Sequence, residues 1–95
     1  MRGLQWTERA SADLVKLLAY YADIDRDLGP AMRRRVVAAQ RPLLDRPGIG
    51  SPTGRRGTRK WRVRGTPFLL FYRISSDGTL QVVNVRHAAQ NWRAE

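Results

Sequence analysis

Apolar and polar positions along this chain follow two different periods. Between residues 11 and 45 the apolar side chains recur at three- and four-residue spacing, and from residue 57 onward they alternate or run together. The first pattern predicts helices and the second predicts strands. Ahead of both, Leu4 and Trp6 form a brief alternation that predicts an edge strand. Ser11 reads as a helix N-cap with Asp13 in the first turn, where the helix dipole favours negative charge. Leu14, Leu17, Leu18, Tyr21 and Ile24 then continue one stripe to about Leu28. Asp23, Asp25 and Asp27 lie on the outer face near the end of that helix, where the dipole prefers cations, and the pattern offers no account of them. Gly29-Pro30 breaks the chain, and Pro30 suits the first turn of a second helix, whose stripe is Met32, Val36, Ala39 and Leu43. The two helices read as an αα-hairpin. Inside a helix Pro42 costs about 3 kcal/mol, so the second helix is expected either to end near Arg41 or to kink there before Leu43 and Leu44 pack.

Residues 45–56 hold two prolines and three glycines and predict an irregular, mobile connection. Residues 57–87 are the stretch around which the rest is organised. In the first run Thr58, Lys60, Arg62 and Arg64 alternate with Arg59, Trp61 and Val63, which makes one face polar and basic and the other largely apolar. Residues 68–74 are apolar almost without a break, the mark of a central strand covered on both sides. Residues 65–67 and 76–78 read as turns, and residues 79–86 as a last strand with Leu80, Val82, Val83 and Val85 buried. The tail is expected to end in a helical turn around Trp92. The order is β-α-α-β-β-β in one domain over residues 1–95: an α+β fold, with an N-terminal strand and an αα-hairpin packed on a small antiparallel sheet.

Composition adds charge to this picture. Hydrophobic residues make up 42% and charged residues 27% of 95, too apolar for a disordered chain. No cysteine is present, and one histidine without spaced carboxylates gives metal binding no support, so no cofactor is expected. With no apolar run near the ~20 residues needed to cross a bilayer and no apolar leader, the protein is expected to be soluble and cytoplasmic, with no membrane partner. The net charge is +10, unevenly spread: residues 1–45 hold eight basic and six acidic side chains, residues 46–95 ten basic and two acidic. A field so concentrated steers a surface toward nucleic acid or an acidic protein.

Taken for chemistry, Lys60 and Arg62 stand two apart on one strand face, where paired cations can stabilise a phosphate or bind an acidic partner. His87 is the side chain suited to proton transfer near neutral pH, although a strand-end histidine more often holds a tail by a hydrogen bond. Trp61 and Trp92 have the faces to stack bases, and core packing is the plainer role for both. Arg59 points opposite Lys60 and is expected to brace a loop or pair with an acid. Tyr72 is expected to complete the core with its hydroxyl at the edge. Arg55 and Arg56 extend the positive charge toward the sheet.

The element order, with Ala12-Asp13-Leu14, Pro47-Gly48-Ile49-Gly50, Gly57-Thr58-Arg59, Thr66-Pro67-Phe68, Tyr72-Arg73, Val85-Arg86-His87-Ala88 and Trp92, resembles the RelE/ParE superfamily of toxins from bacterial toxin–antitoxin pairs, on its ParE-type side. The resemblance covers nearly the whole chain. It implies a type II toxin neutralised by a cognate antitoxin, acidic and partly disordered when free, in a hetero-oligomer. ParE-type members inhibit DNA gyrase by binding it, which implies a target- or antitoxin-binding surface from Arg55, Arg56, Arg59, Lys60, Arg62, Arg64, Arg86 and Trp92. RelE-type members cut messenger RNA on the ribosome with clustered basic residues, which would make Lys60, Arg62 and His87 catalytic. Against that alternative, Leu69 stands where the second strand would carry an arginine, and Trp92 cannot exchange protons as a tyrosine does. A homologue that only binds its antitoxin is the third implied possibility.

Overall fold

The computed structural model describes residues 3–89, and the expected turn around Trp92 lies outside them. β1 (Leu4–Trp6) leads directly into α1 (Glu8–Ile24). The cap of α1 is Thr7, not Ser11: Thr7 is extended and its Oγ1 accepts from the Ala10 amide at 3.1 Å. Glu8 then occupies the first turn, where the orphan amides favour a carboxylate. Ser11 is already inside the helix, donating its amide to the Thr7 carbonyl.

The break between helices falls at Asp25, earlier than Gly29-Pro30. Asp25 is extended, its carboxylate accepts from the Asp27 amide at 2.9 Å, and its carbonyl accepts from Leu28, so one member of the acidic cluster builds the interhelical turn. α2 (Leu28–Asp45) therefore contains Gly29 and Pro30 in its first turn. Gly29 is buried against α1, where a Cβ would lie 3.3 Å from that of Ala22. Helix α2 also runs through Pro42 to Asp45 instead of ending near Arg41. Pro42 itself is exposed, while Leu43 just beyond it is fully buried, so continuing the helix gains a core side chain that offsets the lost hydrogen bond.

Residues 45–56, expected to be irregular, contain a 3₁₀ turn (Pro47–Ile49), with Ile49 packed on the core, and a two-residue strand β2 (Ser51–Pro52). β3 (Thr58–Arg62), β4 (Phe68–Ile74) and β5 (Leu80–His87) follow. The sheet order is β1-β5-β4-β3-β2, with β3, β4 and β5 antiparallel as expected and β4 central. β1 pairs parallel to β5, so the whole sheet is mixed. The hairpin covers one face of β4 only. Phe68, Leu70 and Tyr72 of β4 join Leu80, Val82 and Val85 of β5 against Ala10, Met32, Val36, Ala39 and Leu43. On the opposite face Leu69 is half-buried, Phe71 is buried, and Arg73 at the strand end is exposed.

One irregularity in β5 shapes both faces. Tyr72 pairs with Val82 and Phe71 with Asn84, leaving Val83 as a bulge that is half-buried, not buried as the apolar run suggested. Beyond Trp6 no strand among the described residues lies beside the edge of β5, and the start of α1 takes over. Thr7 donates its amide to the Val82 carbonyl at 3.0 Å and its hydroxyl to the Val83 carbonyl at 3.1 Å, and Asp13 Oδ2 accepts from the Val85 amide at 3.1 Å. Asp13→Ala is therefore expected to cost about 2 kcal/mol, the penalty for leaving an amide that a carboxylate had satisfied. Asp13→Asn, which keeps an acceptor, should cost less than half as much in urea unfolding. Equal losses would show that the ion pair with Arg9, at 3.9 Å, matters more than the amide.

Candidate functional site

Three cross-strand rows make the sheet face turned away from the helices. Thr58, Arg73 and Gln81 form one row, Lys60, Phe71 and Asn84 the next, and Arg62, Leu69 and Arg86 the third. The Val83 bulge assembles the third row. Counting strictly inward from Leu80, Arg86 would point at the helices and His87 away; one extra residue reverses the parity. Lys60, Arg62 and Arg86 thus share one face, with Leu69 between the two arginines. Arg62 Nε donates to the Thr66 carbonyl at 3.0 Å, tying that side chain to the β3–β4 turn, where Arg64 is exposed. Arg35 holds the same turn from α2, its Nη1 2.8 Å from the Gly65 carbonyl.

His87 is on the helix side. Its ring stacks on Tyr21 of α1 with centroids 6.4 Å apart and planes 9° apart. Nδ1 accepts from the Ala89 amide at 3.1 Å, which leaves Nε2 to carry the proton of the neutral ring toward Tyr21 Oη, 2.9 Å away. The histidine holds the chain that follows it, and the sheet separates it from Lys60 and Arg62. No side chain in the three rows is of a type that titrates near neutral pH. The face can attract and position an anion.

At the far end of β3 lies a second basic cluster. Residues 53–58 bond to themselves: the Arg55 amide donates to Thr53 Oγ1 at 3.1 Å, that hydroxyl donates to the Thr58 carbonyl at 3.2 Å, and the Thr58 amide to the Arg55 carbonyl at 3.1 Å. Gly54 and Gly57 have φ of +89° and +75°, a region that side-chain-bearing residues avoid, and this sharp path puts Arg55 and Arg56 at an exposed tip. Arg59, on the helix side, donates to the Gly50 carbonyl at 2.7 Å, so of the two roles expected for it the structure shows the loop brace. Tyr72 is fully buried and its hydroxyl donates to the Pro47 carbonyl at 2.7 Å while accepting from the Gly50 amide at 2.9 Å. Burial pushes its pKa up, opposed by the Gly50 amide and the Arg59 charge.

Trp61 is half-buried against the core, and Trp92 lies outside the described residues. Arg73 is a charge the sequence reading did not single out as a site. Its position two residues after Phe71 puts it on the same face, and Nε donates to Gln81 Oε1 at 2.7 Å. Among the described residues there is no group of three or more His, Cys, Asp or Glu side chains able to hold a metal, and no helix is long and apolar enough to cross a membrane.

A helical hairpin on one face of a five-stranded mixed sheet is the RelE/ParE-like α+β architecture. The chain has a TM-score of 0.81 with a chain of the chromosomal ParDE toxin–antitoxin system from P. aeruginosa, at 23% identity over 92% of this chain and 96% of that one. With a chain of the intact E. coli RelBE complex the score is 0.69, at 20% identity over 95% and 100%. In sequence it is 32% identical over 89 residues to the candidate toxin Y4kP of Sinorhizobium fredii, covering 94% of this chain and 91% of that protein. Residues 4–92 match the ParE toxin of type II toxin–antitoxin systems, and the chain belongs to that family.

Proposed function

We propose that this toxin arrests growth in the cytoplasm by binding an essential target, DNA gyrase, and that it does so without cutting RNA. The observation that carries this reading is the separation of Lys60 and Arg62 from His87 by the sheet. Cleavage by a 2′-hydroxyl needs proton removal as well as charge stabilisation, and the basic face offers only the second. Binding needs only the charge and the shape. A cognate antitoxin, acidic and partly disordered when free, neutralises the toxin in a hetero-oligomer; the P. aeruginosa and E. coli relatives are named for such toxin–antitoxin pairs.

Two assays with the purified chain separate the readings: supercoiling by DNA gyrase, and cleavage of a message in a ribosome-programmed translation reaction. Inhibition of supercoiling with the message intact is expected, and Lys60→Ala/Arg62→Ala should raise the concentration needed on the order of tenfold, as removal of two partner-facing charges does. Cut message with supercoiling unaffected would refute the proposal.

A further inference from the structure

The outer edge of β3 is only partly covered. β2 pairs with Arg59 and Lys60 alone, and Arg62, further along the same edge, is exposed. In an antiparallel ladder successive residues turn their backbone groups to opposite sides. The Val63 amide points inward, donating to the Phe68 carbonyl of β4 at 2.9 Å, and the Lys60 carbonyl points outward to Gly50. Arg62, between them in parity with Lys60, therefore turns its amide and carbonyl outward, and among the described residues no strand takes them up. Beside that edge, between α2 and β3, lies a cavity of about 570 Å³. Ala38, Pro42 and Trp61 give it apolar walls, Arg35 and Arg64 give it charge, and among the described residues no acidic side chain lines it. Both arginines are exposed, and neither is ion-paired to an acid among the described residues. Arg35 is held by the Gly65 carbonyl at 2.8 Å, a neutral acceptor that positions the guanidinium without cancelling its charge.

We infer that this edge and cavity take an extended acidic segment of the antitoxin, added to the sheet as a strand beside Arg62. Open strand edges recruit strands, because a peptide supplies both the acceptor that the amide needs and the donor that the carbonyl needs. Phosphate oxygens only accept. Side chains along such a strand alternate in direction. Apolar ones turned to the helix side meet Trp61, Pro42 and Ala38, and carboxylates meet Arg35 and Arg64. A partner partly disordered when free has an extended segment to offer, and backbone bonds with apolar burial offset the cost of ordering it. A second copy of this chain fits less well, since each carries a net charge of +10. This occupant rests on the reading that an acidic antitoxin neutralises the toxin, and holds whatever the toxin's target.

The test is titration of the full chain and its variants against the labelled cognate antitoxin, read by fluorescence anisotropy. Arg62→Ala removes the side chain and keeps the outward amide; Arg62→Pro removes the amide too, at the kind of edge position where proline is tolerated. Arg62→Pro should weaken binding about tenfold more than Arg62→Ala, the worth of one lost hydrogen bond. Ala38→Trp fills the cavity from an exposed helix position and should weaken binding on the order of a hundredfold, as blocking a central pocket does. It leaves β3 untouched, and so decides the question should Arg62→Pro melt early. Arg33→Ala/Arg34→Ala, exposed elsewhere on α2, should cost less than about threefold. Equal binding by Arg62→Pro and Arg62→Ala, both folded, would overturn the added strand. Wild-type antitoxin binding by Ala38→Trp would overturn the site while leaving the antitoxin as partner, and a loss of RNA affinity in that variant would assign the cavity to nucleic acid. Failure of the wild-type chain to bind the antitoxin would overturn the partner reading itself.

Discussion

Gly50→Ala is expected to destabilise the protein by about 3 kcal/mol, the upper range for forcing an extra group into packed structure. A Cβ at Gly50 would lie 2.7 Å from the Lys60 carbonyl oxygen and 2.5 Å and 2.8 Å from the Oη and Cε1 of Tyr72. None of these atoms can yield cheaply. The carbonyl is backbone of β3, and the Tyr72 ring is fully buried with its hydroxyl bonded on both sides. Pushing residue 50 outward would also lengthen the Gly50 amide to Tyr72 bond and the Arg59 to Gly50 bond. For a domain of this size such a loss lowers the thermal midpoint by roughly 15 °C. Gly48→Ala is the control, because nothing lies within 4 Å of the added carbon, and it should stay within about 0.5 kcal/mol of the parent. If the two substitutions melt alike, Gly50 is not a point of close approach.

The same contact explains why residues 45–56 were hard to read. Their prolines and glycines are those of a loose connection, and the groups that anchor them lie elsewhere: Tyr72 is 22 residues from Gly50 and 25 from Pro47. A long-range hydrogen bond leaves no period in a sequence. The α1 stripe, the apolar run of β4 and the alternation of β3 were legible because each follows one local rule of burial. The start of α1 was misread because Ser11 and Thr7 are both good caps, and the deciding factor is that Thr7 also bonds β5.

For the candidate site, alternation correctly put Lys60 and Arg62 on one face and Arg59 on the other. It could not say which face Arg86 and His87 would join, because that depends on one bulged residue, Val83, inside a run of valines that reads as regular strand. The bulge changes the chemistry available. It adds Arg86 to Lys60, Arg62 and Arg73 on the basic face and turns the histidine to the helix side, so the feature that most separates binding from catalysis is set by backbone register and not by residue type. Arg73 was not singled out as a site residue for a related reason: at the end of an apolar run it looks like a strand terminus, and only the pairing with Thr58 and Gln81 brings it to the basic face.

Leu43→Ala is expected to cost about 4 kcal/mol, more than any surface change, and Pro42→Ala beside it to gain about 1 kcal/mol. The opposite signs follow from one piece of helix. Pro42 cannot donate to the carbonyl one turn back, yet its carbonyl still accepts from the Arg46 amide at 2.9 Å, so the last turn of α2 closes around the defect. Leu43, wholly inaccessible to solvent, is what makes closing it worthwhile, since removing its side chain leaves a cavity beneath α2 as well as lost burial. That last turn delivers the chain to Pro47, whose carbonyl accepts from Tyr72, and so to the loop bearing Arg55 and Arg56. Loosening the end of α2 should therefore reach that loop. In Leu43→Ala, amide exchange should accelerate at Gly50 and Thr58, the two loop amides bonded to Tyr72 and Arg55, before it does at Leu70 in the central strand. Uniform acceleration at all three would mean that the protein opens only as a whole and that the loop draws its order directly from the sheet.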